Sequence, residues 1–113
     1  MGSSLGGLFS FYAGLKNQKT FSKIGVFSPS FWYNEEIYNF ALNTIKQFDD
    51  IKIYFVCGGS ESELMVPDMN KMVSIMRNKG YGKIKSVVQM DGNHQEWFWK
   101  REFPAAYDYL FLN

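Results

Sequence analysis

Leu5 to Leu15 (LGGLFSFYAGL) is apolar nearly all the way round, the pattern of a buried helix, although Gly6, Gly7 and Gly14 each lower its propensity. Lys23 to Phe27 is a short apolar run broken by Ser28-Pro29-Ser30, which predicts a buried strand. Asn34-Glu35-Glu36 suits a helix start, and Ile37, Phe40, Ala41, Ile45 and Phe48 then repeat at helical spacing to about Asp49. Ile51 to Cys57 is a β-branched and aromatic run stopped by Gly58-Gly59, the clearest strand in the chain. Asp68 to Asn78 predicts a helix, with Met69, Met72, Val73 and Met76 on one face and Lys79-Gly80 as its stop. Ile84 to Met90 predicts a third strand, ended by Asp91-Gly92-Asn93. Gln95 to Leu112 predicts a helix in which Pro104 forces a kink or a restart. Strands alternating with helices imply right-handed crossovers and an α/β fold of about three parallel strands, covered on both faces.

A chain of 113 residues holds one domain. Aromatic residues make up 19% of it, a heavy apolar load that calls for an aromatic core or a surface covered by another body. The net charge of +1 provides no basic field for nucleic acid or an anionic membrane. The single Cys rules out an intrachain disulfide and a thiolate zinc cage, and the single His rules out a multi-His metal site. No apolar run approaches the roughly 20 residues that span a bilayer, and the first residues lack the pattern of a signal peptide, so the expected location is the cytoplasm.

The candidate chemistry begins at Gly2-Ser3-Ser4-Leu5-Gly6, a G-x-S-x-G sequence that opens straight into a helix. Such a turn holds a nucleophile in a strained conformation between small neighbours and aims helix N–H groups at developing negative charge. The bland alternative is a flexible terminal serine, with Ser3 as the neighbouring hydroxyl. His94 follows one predicted strand, and Glu61 and Glu63 follow the one before it, so the carboxyl ends of the strands bring candidates together in the order Ser, acid, His. Capping of the last helix is the alternative role for His94, and a favourable helix-start charge the one for Glu61. Asp91 fits a turn, Cys57 a packed thiol, and Met65, Met69, Met72 and Met76 one buried helix face. Trp32, Tyr33, Trp97 and Trp99 read as packing residues, with Phe31 and Trp32 also placed to touch an acyl or aryl group. A flavodoxin-like nucleotide-binding domain fits the alternation of elements, but no Gly-rich loop follows a first strand.

Gly2-Ser3-Ser4-Leu5-Gly6-Gly7-Leu8, Phe27-Ser28-Pro29-Ser30-Phe31-Trp32, Gly58-Gly59-Ser60-Glu61 and Gly92-Asn93-His94-Gln95-Glu96, with Trp99 and Phe103-Pro104, together resemble the Putative esterase (esterase D-like) family of the α/β-hydrolase superfamily. The nearest branch is the enterochelin (siderophore) esterase-related hydrolases, and the resemblance runs from Gly2 to about Phe111. It implies a serine esterase with Ser4 as nucleophile, His94 as general base, Glu61 as the acid that orients it, and Leu5 N–H as one oxyanion donor. Phe31 and Trp32 would border the substrate, and no metal or organic cofactor is implied. It also implies that residues 1–113 form a partial domain, the C-terminal half of the fold, without the strand that carries the nucleophile and without the second oxyanion donor. Two expectations follow: little turnover by this chain alone, and self-association or docking on an N-terminal half.

Overall fold

The computed structural model describes residues 1–112. Its elements run β1 (Gly2–Ser3), α1 (Leu5–Lys16), β2 (Lys23–Phe27), α2 (Glu36–Asn43), β3 (Lys52–Gly58), α3 (Met65–Asn78), β4 (Lys83–Gln89) and α4 (Glu96–Tyr107). A 3₁₀ turn spans Phe31–Tyr33 and a π turn spans Asp108–Leu112.

The four strands form one parallel sheet in the order β1-β2-β3-β4, with Val26 beside both Gly2 and Phe55, and Phe55 beside Ser86. Every crossover steps one strand in the same direction, so right-handed connections place α1, α2 and α3 on the same face. Side chains alternate along each strand, and the core therefore divides in two. Ile24, Val26, Ile53, Phe55 and Cys57 pack with Phe11, Leu15 and the α3 methionines, whereas Phe27, Tyr54 and Val56 meet Phe98, Ala106 and Leu110 from the C-terminal segment. Burial on both faces explains why β2 and β3 read as continuous apolar runs.

Four differences from the sequence reading stand out. A strand does carry the serine turn, in a two-residue form: Gly2 and Ser3 pair in parallel with Val26 and Phe27. Helix α2 ends at Asn43, well short of Asp49. The following segment bonds instead to the buried side chain of Gln18, which donates to the Ile45 carbonyl (3.1 Å) and accepts from Gln47 N–H (2.9 Å). Helix α3 begins at Met65, three residues early. Pro67 then lies in its first turn, where no intrahelical N–H bond is lost. Pro104 lies inside a continuous α4, and the helix changes pitch only after Tyr107.

Candidate active site

The turn at Ser4 is built from the backbone outward. Its φ of 59° lies in the left-handed region, a costly conformation for a non-glycine residue. Besides the Leu8 N–H bond to the Ser4 carbonyl (3.2 Å), three contacts hold it there. Ser4 N–H donates to the Phe27 carbonyl (2.9 Å), while the N–H groups of Gly7 (3.0 Å) and Ser30 (3.1 Å) donate to the Ser4 carbonyl. The chain folds back so tightly that a Cβ at Gly2 would lie 2.5 Å from the Gly6 carbonyl oxygen, which is why this position is glycine. Ser4 thereby stands at the carboxyl end of β1, and Leu5 opens α1, where its N–H precedes the first helical hydrogen bond.

Glu61 and His94 come from the loops after β3 and β4, and those loops are bonded to each other. Gly59 N–H donates to the Gln89 carbonyl (2.8 Å), Ser60 N–H to that of Gly92 (3.1 Å), and Ser60 Oγ to that of Met90 (2.7 Å). A Cβ on Gly58 would overlap the Gly92 carbonyl, so the close approach of the two loops requires glycine there.

This framework brings three side chains into line. Ser4 Oγ lies 2.8 Å from His94 Nε2, and His94 Nδ1 lies 2.7 Å from Glu61 Oε1. The imidazole is open to solvent, with its side chain 41% exposed, whereas the Glu61 carboxylate is 1% exposed. The second carboxylate oxygen of Glu61 accepts from Gly58 N–H (2.7 Å) and from Ser28 Oγ (2.6 Å). Trp99 packs its ring edge-on to His94, with centroids 5.1 Å apart, and its indole N–H donates to Ser28 Oγ (2.9 Å). Ser30 Oγ lies 3.3 Å from Ser4 Oγ.

Other sequence candidates lie elsewhere. Glu63 is exposed, and it is Glu61 that reaches the imidazole. Asp91 is bound by Arg101 through both carboxylate oxygens, and that guanidinium holds its carboxyl below the usual range. Cys57 is fully buried, and burial, with the neighbouring Glu61 charge, pushes its thiol up to about 12. A thiolate is therefore absent at neutral pH. Phe31 is 0% exposed and packs between Phe11 and Tyr38, so it belongs to the core and offers no surface to a substrate. Trp32 does face solvent. It lines a cavity of about 350 Å³ together with Glu61, Ser62, Leu64, Met65 and His94.

Ser28 and Trp99 bond into this site, a role that the sequence pattern does not give to Ser28 and that goes beyond the packing expected of Trp99. The available signal was position: Ser28 directly follows a parallel strand, at the sheet end where reactive groups gather.

The chain matches the sequence model of the family described as "Putative esterase" over residues 1–110, and it belongs to that family. It is 25% identical to the uncharacterized protein YbbA of Bacillus subtilis (strain 168), over 98% of this chain and 48% of that protein. Among solved structures it resembles the enterobactin esterase FES of Shigella flexneri, with a TM-score of 0.78, 19% identity, and coverage of 97% of this chain and 31% of that one. It also resembles a ferulic acid esterase (TM-score 0.74, 15% identity, 96% and 50% covered) and the BES protein of Bacillus cereus (TM-score 0.68, 22% identity, 96% and 43% covered). These likenesses establish an α/β fold with a parallel sheet. The chain spans about half or less of the length of the relatives it matches. Among the described residues no helix is long and apolar enough to cross a membrane.

Proposed function

We propose that this chain carries the nucleophile, base and acid of a serine esterase that hydrolyses carboxylic esters. The observation that supports it most is the line of hydrogen bonds Ser4 Oγ to His94 Nε2 to Glu61 Oε1, at 2.8 and 2.7 Å, within catalytic reach. Ser4 attacks the ester carbonyl while His94 takes its proton, and the imidazolium returns that proton to the departing alcohol. His94 then draws a proton from water, whose oxygen attacks the acyl-serine, and the imidazolium returns that proton to Ser4 Oγ as the C–O bond to serine breaks and the carboxylic acid leaves. Glu61 holds the imidazole ring and stabilises its charged form. Leu5 N–H supplies one oxyanion donor. Trp32, Leu64 and Met65 make the adjoining cavity largely apolar, which favours an ester with an alkyl or aryl group next to the scissile bond. The likeness to an enterobactin esterase and a ferulic acid esterase supports such a substrate, and the proposed class is an ester or lactone of a siderophore, a short acyl ester or a related thioester.

A second reading is a silent domain that self-associates or docks on an N-terminal half. It is favoured by β1, which among the described residues pairs with β2 alone and leaves a sheet edge open, with exposed Met1, Phe9 and Phe21 lining one cavity beside it. One experiment separates the two readings. The chain is treated with a fluorophosphonate probe and with p-nitrophenyl acetate, and its sedimentation is measured alongside. The enzymatic reading expects labelling at Ser4 and slow hydrolysis, both lost in Ser4→Ala and His94→Ala. A chain that neither labels nor turns over, and sediments as a dimer or larger, overturns it in favour of the second.

A further inference from the structure

Ser28 is completely buried, follows β2, and has a φ of 43°, one of two positive values among the described non-glycine residues. The other belongs to Ser4. Glycine would take this conformation at lower cost, so the backbone alone gives no reason for a serine here. The hydroxyl does have one. It lies 2.6 Å from Glu61 Oε2 and 2.9 Å from Trp99 Nε1, while Ser28 N–H anchors the residue to the Val56 carbonyl (2.7 Å).

The direction of these bonds follows from donor chemistry. An indole N–H only donates, so Ser28 Oγ is its acceptor. The single proton of that hydroxyl is then left for Glu61. Gly58 N–H donates to the same carboxylate oxygen. With Oε2 occupied by two donors, Oε1 is turned to His94. The Nδ1 nitrogen carries the imidazole proton to meet it, and Nε2 is left as the acceptor that faces Ser4. Proton placement thus passes in one sense from Trp99 through Ser28 and Glu61 to the ring. Trp99 acts twice, because its ring also packs against His94 at right angles.

We propose that Ser28 is a positioning residue, oriented by the Trp99 indole N–H, that fixes Glu61 and through it the His94 tautomer able to accept the Ser4 proton. The proposal rests on the esterase reading but is tested without turnover. His94 is the only histidine, so ¹⁵N-labelled histidine yields one pair of imidazole signals from the whole chain. The wild type is expected to show an exchange-protected Nδ1–H and an unprotonated Nε2. Ser28→Ala and Trp99→Phe are each expected to lose that protected proton and average the two tautomers, and the double variant is expected to match Ser28→Ala. Ser28→Gly, which relieves the backbone, is expected to do the same while staying folded by circular dichroism. Folded variants that keep the wild-type Nδ1–H signal overturn the relay and leave the Ser4–His94–Glu61 reading intact. A wild type with no protonated Nδ1 overturns both.

Discussion

Ser4 sits in a conformation that its side chain makes expensive, at φ 59° and ψ −124°. Non-glycine residues in such regions cost on the order of 1–3 kcal/mol, which neighbouring bonds must offset. Here the offset comes from the Phe27, Gly7 and Ser30 backbone contacts. Replacing Ser4 separates chemistry from strain. Ser4→Gly and Ser4→Ala both remove the proposed nucleophile, but the glycine variant is expected to be more stable than the alanine variant by about 1 kcal/mol. Urea midpoints check this, and equal midpoints would show that the turn is not strained. The local chemistry of G-x-S-x-G announced this residue. The proposed acid has a neighbour of the same type, because Glu61 and Glu63 lie two positions apart in one polar loop. The bonds of Glu61 to Gly58 and Ser28 turn inward the one that the family resemblance names.

At the level of elements, strands and helices were legible wherever one periodicity ran unopposed, as in α1, β2 and β3. The end of α2 was not. Ile45 and Phe48 continue the helical spacing, yet Ile45 is 78% exposed, because Gln18 takes over the backbone groups a longer helix would have used. Gln18 also donates to the Leu15 carbonyl, so its amide ties the end of α1 to the strand-bound segment after α2. Its removal takes a partner from the Leu15 and Ile45 carbonyls and from Gln47 N–H, at about 1 kcal/mol for each bond. Gln18→Ala is therefore expected to lower the denaturation midpoint and to speed hydrogen exchange at Gln47 N–H. Unchanged exchange there would mean that the segment is held by its apolar contacts alone.

For the whole molecule, the two-sided core sets the response to alkali. Burial pushes the Cys57 thiol from an ordinary value of 9.0 up to about 12 and also raises the hydroxyls of Tyr38, Tyr54 and Tyr81. Each is an acid held neutral by the fold, so the unfolded chain loses its proton first. The resulting stability is fully present below the unfolded values and disappears as pH climbs through the folded ones. Stability is expected to fall from about pH 9 upward, first through Cys57 and then through the tyrosines. Urea titrations across that range measure it. Cys57→Ala should flatten the first part of the decline, and an unaltered slope would assign the whole effect to the tyrosines.

Local patterning by itself determined the alternation of strands and helices, the parallel sheet, and the chain order Ser4, Glu61, His94 of the three residues proposed as nucleophile, acid and base. Periodicity and turn chemistry act over a few residues and survive being read one segment at a time. Tertiary structure alone decided that Phe31 turns into the core while Trp32 faces the cavity, and that Ser28 and Trp99 bond into the site. Those outcomes depend on contacts between residues as far apart in the chain as Ser4 and His94. Such contacts exist only once β1 to β4 lie in register and Gly58 lets the loops after β3 and β4 close on each other.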